Sequence, residues 1–127
     1  MKAPAGKPLT RAQLIARADA ICARTNAERE SISVGSQAAF RRVLPQAAIY
    51  NSTQSKELNK LVPPASLAHD WSGIINAAQL FSEYVDQVAY YAQTGKRNLS
   101  PLIHTAEVVH QQMTVIFRHD HFKQCAE

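Results

Sequence analysis

From Leu67 to Ala92 the apolar residues Leu67, Trp71, Ile74, Ala78, Phe81, Val85, Val88 and Ala92 recur alternately four and three positions apart. Only an α-helix gathers such positions on one side, and a seam this long needs partners along about seven helical turns. Gly95 supplies the stop. Ahead of the seam stand Pro63 and Pro64. They end the preceding helix and open this one, because the first turn has no use for the amide that proline lacks. Gly73 costs the helix about 1 kcal/mol relative to Ala. Its expected use is a close approach by another backbone, or a mild bend.

Three further segments carry the same period. Thr10 begins the first helix, with Gln13 placed to complete a reciprocal capping box, and Leu14, Ala18, Ile21 and Thr25, flanked by Ile15 and Cys22, carry it to about Ser31. A turn over Ser33 to Ser36 contains Gly35, and Ser36 can cap a second helix with Phe40, Val43 and Leu44. Pro45 removes one amide and disfavours helix at Leu44, so a kink or a restart is expected before the pattern resumes through Ala47, Tyr50, Leu58 and Leu61. The fourth helix opens near Asn98 or Ser100 with Pro101 in its first turn and repeats the period at Leu102, Ala106, Val109, Met113 and Ile116, widened by Ile103 and Phe117. Four helical patterns with short connections and no alternating strand segment predict an all-α, antiparallel four-helix bundle. One domain over residues 9–127 is expected, behind a flexible leader of residues 1–8 in which Pro4, Gly6 and Pro8 prevent regular structure.

With 46% apolar residues the chain can fill one core, and no apolar run approaches the roughly eighteen residues of a membrane span. Any membrane attachment is therefore expected only through a leader that is lipidated or removed. Fourteen Lys and Arg against ten Asp and Glu leave a net charge of +4. The basic residues are interspersed with Asp19, Glu28, Glu30 and Glu83, which suits solvated helix faces and argues against nucleic acid as a partner.

Cys22 and Cys125 are the only cysteines, which excludes thiolate metal clusters and a CxxC redox motif. In an antiparallel bundle the end of the fourth helix returns beside the first, so the two thiols have a route to each other. The alternative is a small core Cys22 and an exposed Cys125. The stretch LTRAQLIARADAIC at Leu9 to Cys22, LVPPA at Leu61 to Ala65, the Trp71 seam, the Gly95 stop and the near-terminal Cys125 together resemble small secreted or lipoprotein-type helical domains of actinobacteria and related soil bacteria. The likeness spans most of residues 9–127. It implies export and a bond between Cys22 and Cys125, and it brings no activity with it. In such proteins a Gly often precedes the last Cys, whereas this chain reads Arg118-His119-Asp120-His121-Phe122-Lys123-Gln124.

Catalytic signatures are missing from the sequence. There is no Gly-x-Ser-x-Gly elbow, and the four glycines lie too far apart to cradle a phosphate. Glu107 and His110 have the Glu-x-x-His spacing of di-iron bundles, but the motif occurs once where such a site needs two copies and two further carboxylates. A haem reading would use His110 with a ligand from another helix, because Met113 on the same helix cannot reach the opposite face; Trp71, Phe81 and Phe117 would be its apolar walls. His119 and His121 converge on a surface metal only if the helix has ended before them. Tyr50, Tyr84 and Tyr91 border the apolar stripes, either as core edge or as a partner surface. The expectation is a non-enzymatic, extracytoplasmic helical module without a cofactor. It would bind a protein or a small apolar partner, or serve as an accessory part of an exported assembly, with haem or metal binding through His110 as the alternative.

Overall fold

The computed structural model describes residues 6–32, 37–95 and 98–127, and for residues 37–40 the backbone alone. Four helices follow in order: α1 (Arg11–Ser31), α2 (Gln37–Asn59), α3 (Ala68–Thr94) and α4 (Ser100–His119). Short 3-10 turns at Ala65–Leu67 and Gln124–Ala126 complete the described secondary structure, which contains no strand. The chain is all-α, with α2 packed along α3 and α3 along α4. None of the described helices is long and apolar enough to cross a membrane. The turn expected at Ser33 to Ser36 and the side chain of Phe40 lie outside the described residues, as do residues 1–5.

Local chemistry explains most boundaries. The Thr10 hydroxyl accepts from the Gln13 amide, and the Gln13 side chain accepts from the Thr10 amide, closing the capping box at α1. Gly95 ends α3 in the left-handed region at φ 65°, with its amide donating to the Tyr91 carbonyl. Asn98 accepts from the Ser100 amide where α4 begins. Gly6, Lys7 and Pro8 are exposed, and Leu9 is the first described residue to pack on the core.

α2 passes through Pro45 without a break, so of the two outcomes expected there a restart does not occur. Proline deprives the Arg41 carbonyl of its helical donor. The Gln93 side chain of α3 supplies one instead, its Nε2 lying 2.9 Å from that carbonyl oxygen. The neighbouring helix thus repairs the gap. Gly73 admits a side chain rather than a backbone, since a Cβ there would stand 3.3 Å from Cδ1 of Ile116 on α4.

The core divides in two. One cluster joins Leu14, Ala18 and Cys22 of α1 to Leu58, Leu67, Trp71, Ile74, Ile75, Ala78, Met113, Phe117, Phe122 and Cys125. The other joins Leu44 and Ala48 to Val88, Ala89, Ala92 and Leu102, so α2, α3 and α4 build it without a described residue of α1. Beyond Thr25, α1 buries no further residue.

Cys22 and Cys125 form a disulfide across a Cα separation of 5.1 Å and 103 positions of sequence. The chain reaches it by a sharp reversal after α4. His121 sits in the left-handed region at φ 69°. The Phe122 amide donates back to the Phe117 carbonyl at 3.0 Å, and the His121 amide donates to Arg118 at 3.2 Å. This is the helix stop usually built on glycine, complete with the apolar contact that accompanies it: the rings of Phe117 and Phe122 lie 5.1 Å apart. Asp19 of α1 then receives the amides of Lys123 and Cys125 on its carboxylate.

Candidate functional site

A groove of about 360 Å³ opens between α2, α3 and α4, beside the last turns of α1. Leu44 of α2, Phe81, Val85 and Val88 of α3, and Ile103 and Ala106 of α4 give it an apolar floor. Arg29, from the last turns of α1, lines it too, as do Glu107, His110 and Gln111 of α4. Its size falls within the range of small-ligand sites, which are mostly apolar with a few placed polar groups.

The polar groups are held in position. Arg29 is half-buried and donates from Nη2 to Oδ1 of Asn26 at 2.7 Å. Asn26 in turn donates to the Gln124 carbonyl at 3.0 Å and to Oε2 of Glu127 at 3.2 Å. The C-terminal segment that the disulfide anchors therefore steadies the guanidinium. Burial lowers the Arg29 pKa from its ordinary value, and no described carboxylate forms an ion pair with it. His110 is half-buried, its ring 5.1 Å from that of Phe81. Burial, and next to it the positive charge of Arg29, push the His110 pKa down, so its neutral form is favoured. Glu107 is exposed at the rim.

Phe81 and Val85 belong to the α3 seam, yet both are only half-buried, whereas Trp71, Ile74 and Val88 are buried. Phe81, expected in the core, is a groove wall. Its ring meets that of His110 at a tilt of 51°.

The remaining candidates fall elsewhere. Tyr84 and Tyr91 pack against the second cluster and Tyr50 is half-buried; none of the three lines the groove. Tyr90, which the period did not single out, is the exposed one at 64%, edge-on to Tyr91. Of the residues grouped by the haem reading, His110 and Phe81 line the groove, Trp71 and Phe117 are buried in the first cluster, and Met113, also buried there, meets His110 at a small cavity.

α4 ends at His119, and what converges there is a different set from the two histidines. Ligand atoms of Asp70, His119 and Asp120 lie within 4.8 Å of one another, and His121 is not among them. His119 Nδ1 is 3.1 Å from Oδ1 of the buried Asp120. A hydrogen bond to Asp120 raises the pKa of Asp70, burial and the Asp120 charge adding to it while His119 and His69 oppose it.

Arg29 carried no signal in the sequence, because a basic residue near a helix end is the ordinary composition of a solvated last turn. Comparison with family models, with curated proteins and with solved structures returned no match.

Proposed function

We propose that this protein is a non-enzymatic, exported binding module that receives a small apolar ligand between α2, α3 and α4. The groove carries this reading, because side chains of three helices converge there to build one continuous apolar floor, whereas the exposed Ile49, Leu80, Val108 and Val115 do not line it. A half-buried Phe81 and Val85 in an otherwise buried seam retain apolar surface whose cover would be favourable, at about 25 cal/mol per Å² removed from water. Export is supported by the disulfide, which suits an oxidising compartment, and by the likeness to secreted helical domains.

The test is titration of the purified chain with N-phenylnaphthylamine, a neutral apolar dye that fluoresces on leaving water. Saturable one-to-one enhancement is expected, and Val85→Trp, which places an indole in the groove, should abolish it while the chain still melts cooperatively. A wild-type chain that leaves the dye in water overturns the reading. Enhancement that Val85→Trp leaves intact does so equally, because it places the dye elsewhere.

A further inference from the structure

The apolar floor is electrically one-ended. Leu44, Val85, Val88 and Ile103 offer no charge, and the two basic side chains of the groove, Arg29 and His110, line it together and share a small cavity as well. We propose that the groove binds a single-chain carboxylic acid in its ionised form, with the carboxylate on Arg29 beside His110 and the aliphatic tail along Phe81, Val85 and Leu44. The proposal rests on the groove being a ligand site, as argued above, and specifies the chemistry of what it takes.

Three observations support it. Arg29 forms no ion pair among the described residues, although Arg24, one turn earlier on α1, is engaged by both Glu28 and Glu57. A guanidinium taken partly out of water without a counter-charge gains more from an arriving carboxylate than a solvated one does. Secondly, the Asn26 side chain, itself fixed by the C-terminal segment, takes a donor on Nη2 and leaves the remaining guanidinium donors free of carboxylate partners. An arginine fork of this kind pairs with planar carboxylates. Thirdly, His110 donates to an anion when protonated and, when neutral, in the tautomer that directs its N–H into the groove. Glu127 shares a small cavity with Arg29 and His110, with its carboxylate taken up by Asn26, and the acid that lines the groove itself is Glu107. It is exposed, so solvent screens its repulsion more than it screens the half-buried Arg29.

The experiment compares decanoate, decanol and decylamine, each below its micelle-forming concentration, by calorimetric titration of the full chain at neutral pH. Decanoate should bind about tenfold or more tightly than decanol, and decylamine more weakly than either. Arg29→Gln should remove the advantage of decanoate over decanol and leave decanol affinity where it was. Equal affinity for decanoate and decanol in the wild type, or an advantage that survives Arg29→Gln, overturns the carboxylate assignment while leaving an apolar ligand site in place. Failure of all three compounds to bind overturns both. Because the decanoate-to-decanol ratio is read in the unaltered protein, the proposal does not depend on how well the variant folds.

Discussion

The half of the bundle around Trp71 and Phe117 and the half around Val88 and Leu102 share the same three helices and differ in what lies over them. Over the first run α1 and the C-terminal segment, joined by the disulfide and by the Asp19 carboxylate. Over the second, α1 brings Arg29 to the groove but, among the described residues, adds no side chain to the apolar cluster. α1 packs along α2 and against the C-terminal turn, and its buried positions end at Thr25, six residues before the helix does. The covered half can hold Phe117 with no exposure at all, while the uncovered half leaves Phe81 at a groove.

The strongest way to break this contrast is to truncate the two phenylalanines in turn. Phe117→Ala removes a side chain with 0% exposure and should cost about 3–5 kcal/mol in chemical denaturation. Phe81→Ala removes one that water already reaches and should cost about 1–2 kcal/mol, since only part of its surface is withdrawn from solvent. Equal losses would mean that the groove is closed in solution.

Removing the disulfide tests the other half. With 103 positions between its cysteines, its loss through the double variant Cys22→Ala, Cys125→Ala should cost about 2–5 kcal/mol. A second effect should accompany the first. Gln124 and Glu127 hold Asn26, and Asn26 holds Arg29, so release of the C-terminal segment should weaken decanoate binding more than decanol binding. A variant that loses stability but keeps the full ratio would show that the two halves are independent.

The legibility of this molecule in its sequence follows the same division. The α3 seam, the capping box and the Gly95 stop are local or periodic signals, and each appears where the residues put it. The Cys22–Cys125 pair was accessible through the antiparallel return and the likeness to exported domains, although the residues alone left free thiols open. A helical period shows which face is apolar but not whether a neighbour covers it. For that reason Phe81 and Val85 read the same as Trp71 and Ile74. The contributions of Arg29, Asp19 and Gln93 depend on long-range neighbours, which no local pattern encodes. His121 was misleading in the opposite sense: its ring suggested a ligand, while its backbone serves as the helix stop.

That stop offers a stabilising substitution in the covered half. A residue other than glycine in the left-handed region carries a steric cost, which glycine avoids in exchange for a more flexible unfolded chain. His121 is exposed, so its ring contributes little packing. His121→Gly should therefore raise the unfolding free energy by about 0.5–1 kcal/mol, and His121→Val, with a branched Cβ at φ 69°, should lower it. If glycine destabilised the chain, the His121 side chain would have a role that the backbone geometry does not explain.

The smallest effect is the pH response of the uncovered half. In the folded chain the His110 pKa is pushed below its ordinary value near 6.5, first by burial and then by Arg29. The unfolded chain therefore binds a proton at His110 more readily than the folded chain does. This contribution to stability is complete above about pH 6.5 and is lost as pH falls from there toward the folded-state value. Asp70 works in the reverse direction and lower on the scale: its pKa is raised, chiefly by the hydrogen bond to Asp120, so folding favours its protonated form as pH falls into the carboxylate range. Denaturant melts at successive pH values should show wild-type stability declining below pH 6.5 more steeply than that of His110→Phe, a variant with nothing to titrate at this position. Decanoate should flatten the wild-type decline, because a carboxylate beside the ring offsets the charge of Arg29 and lets His110 accept its proton in the folded state. Parallel pH profiles for wild type and His110→Phe would place the ring in solvent, and would remove it from the groove on which the contrast between the two halves depends.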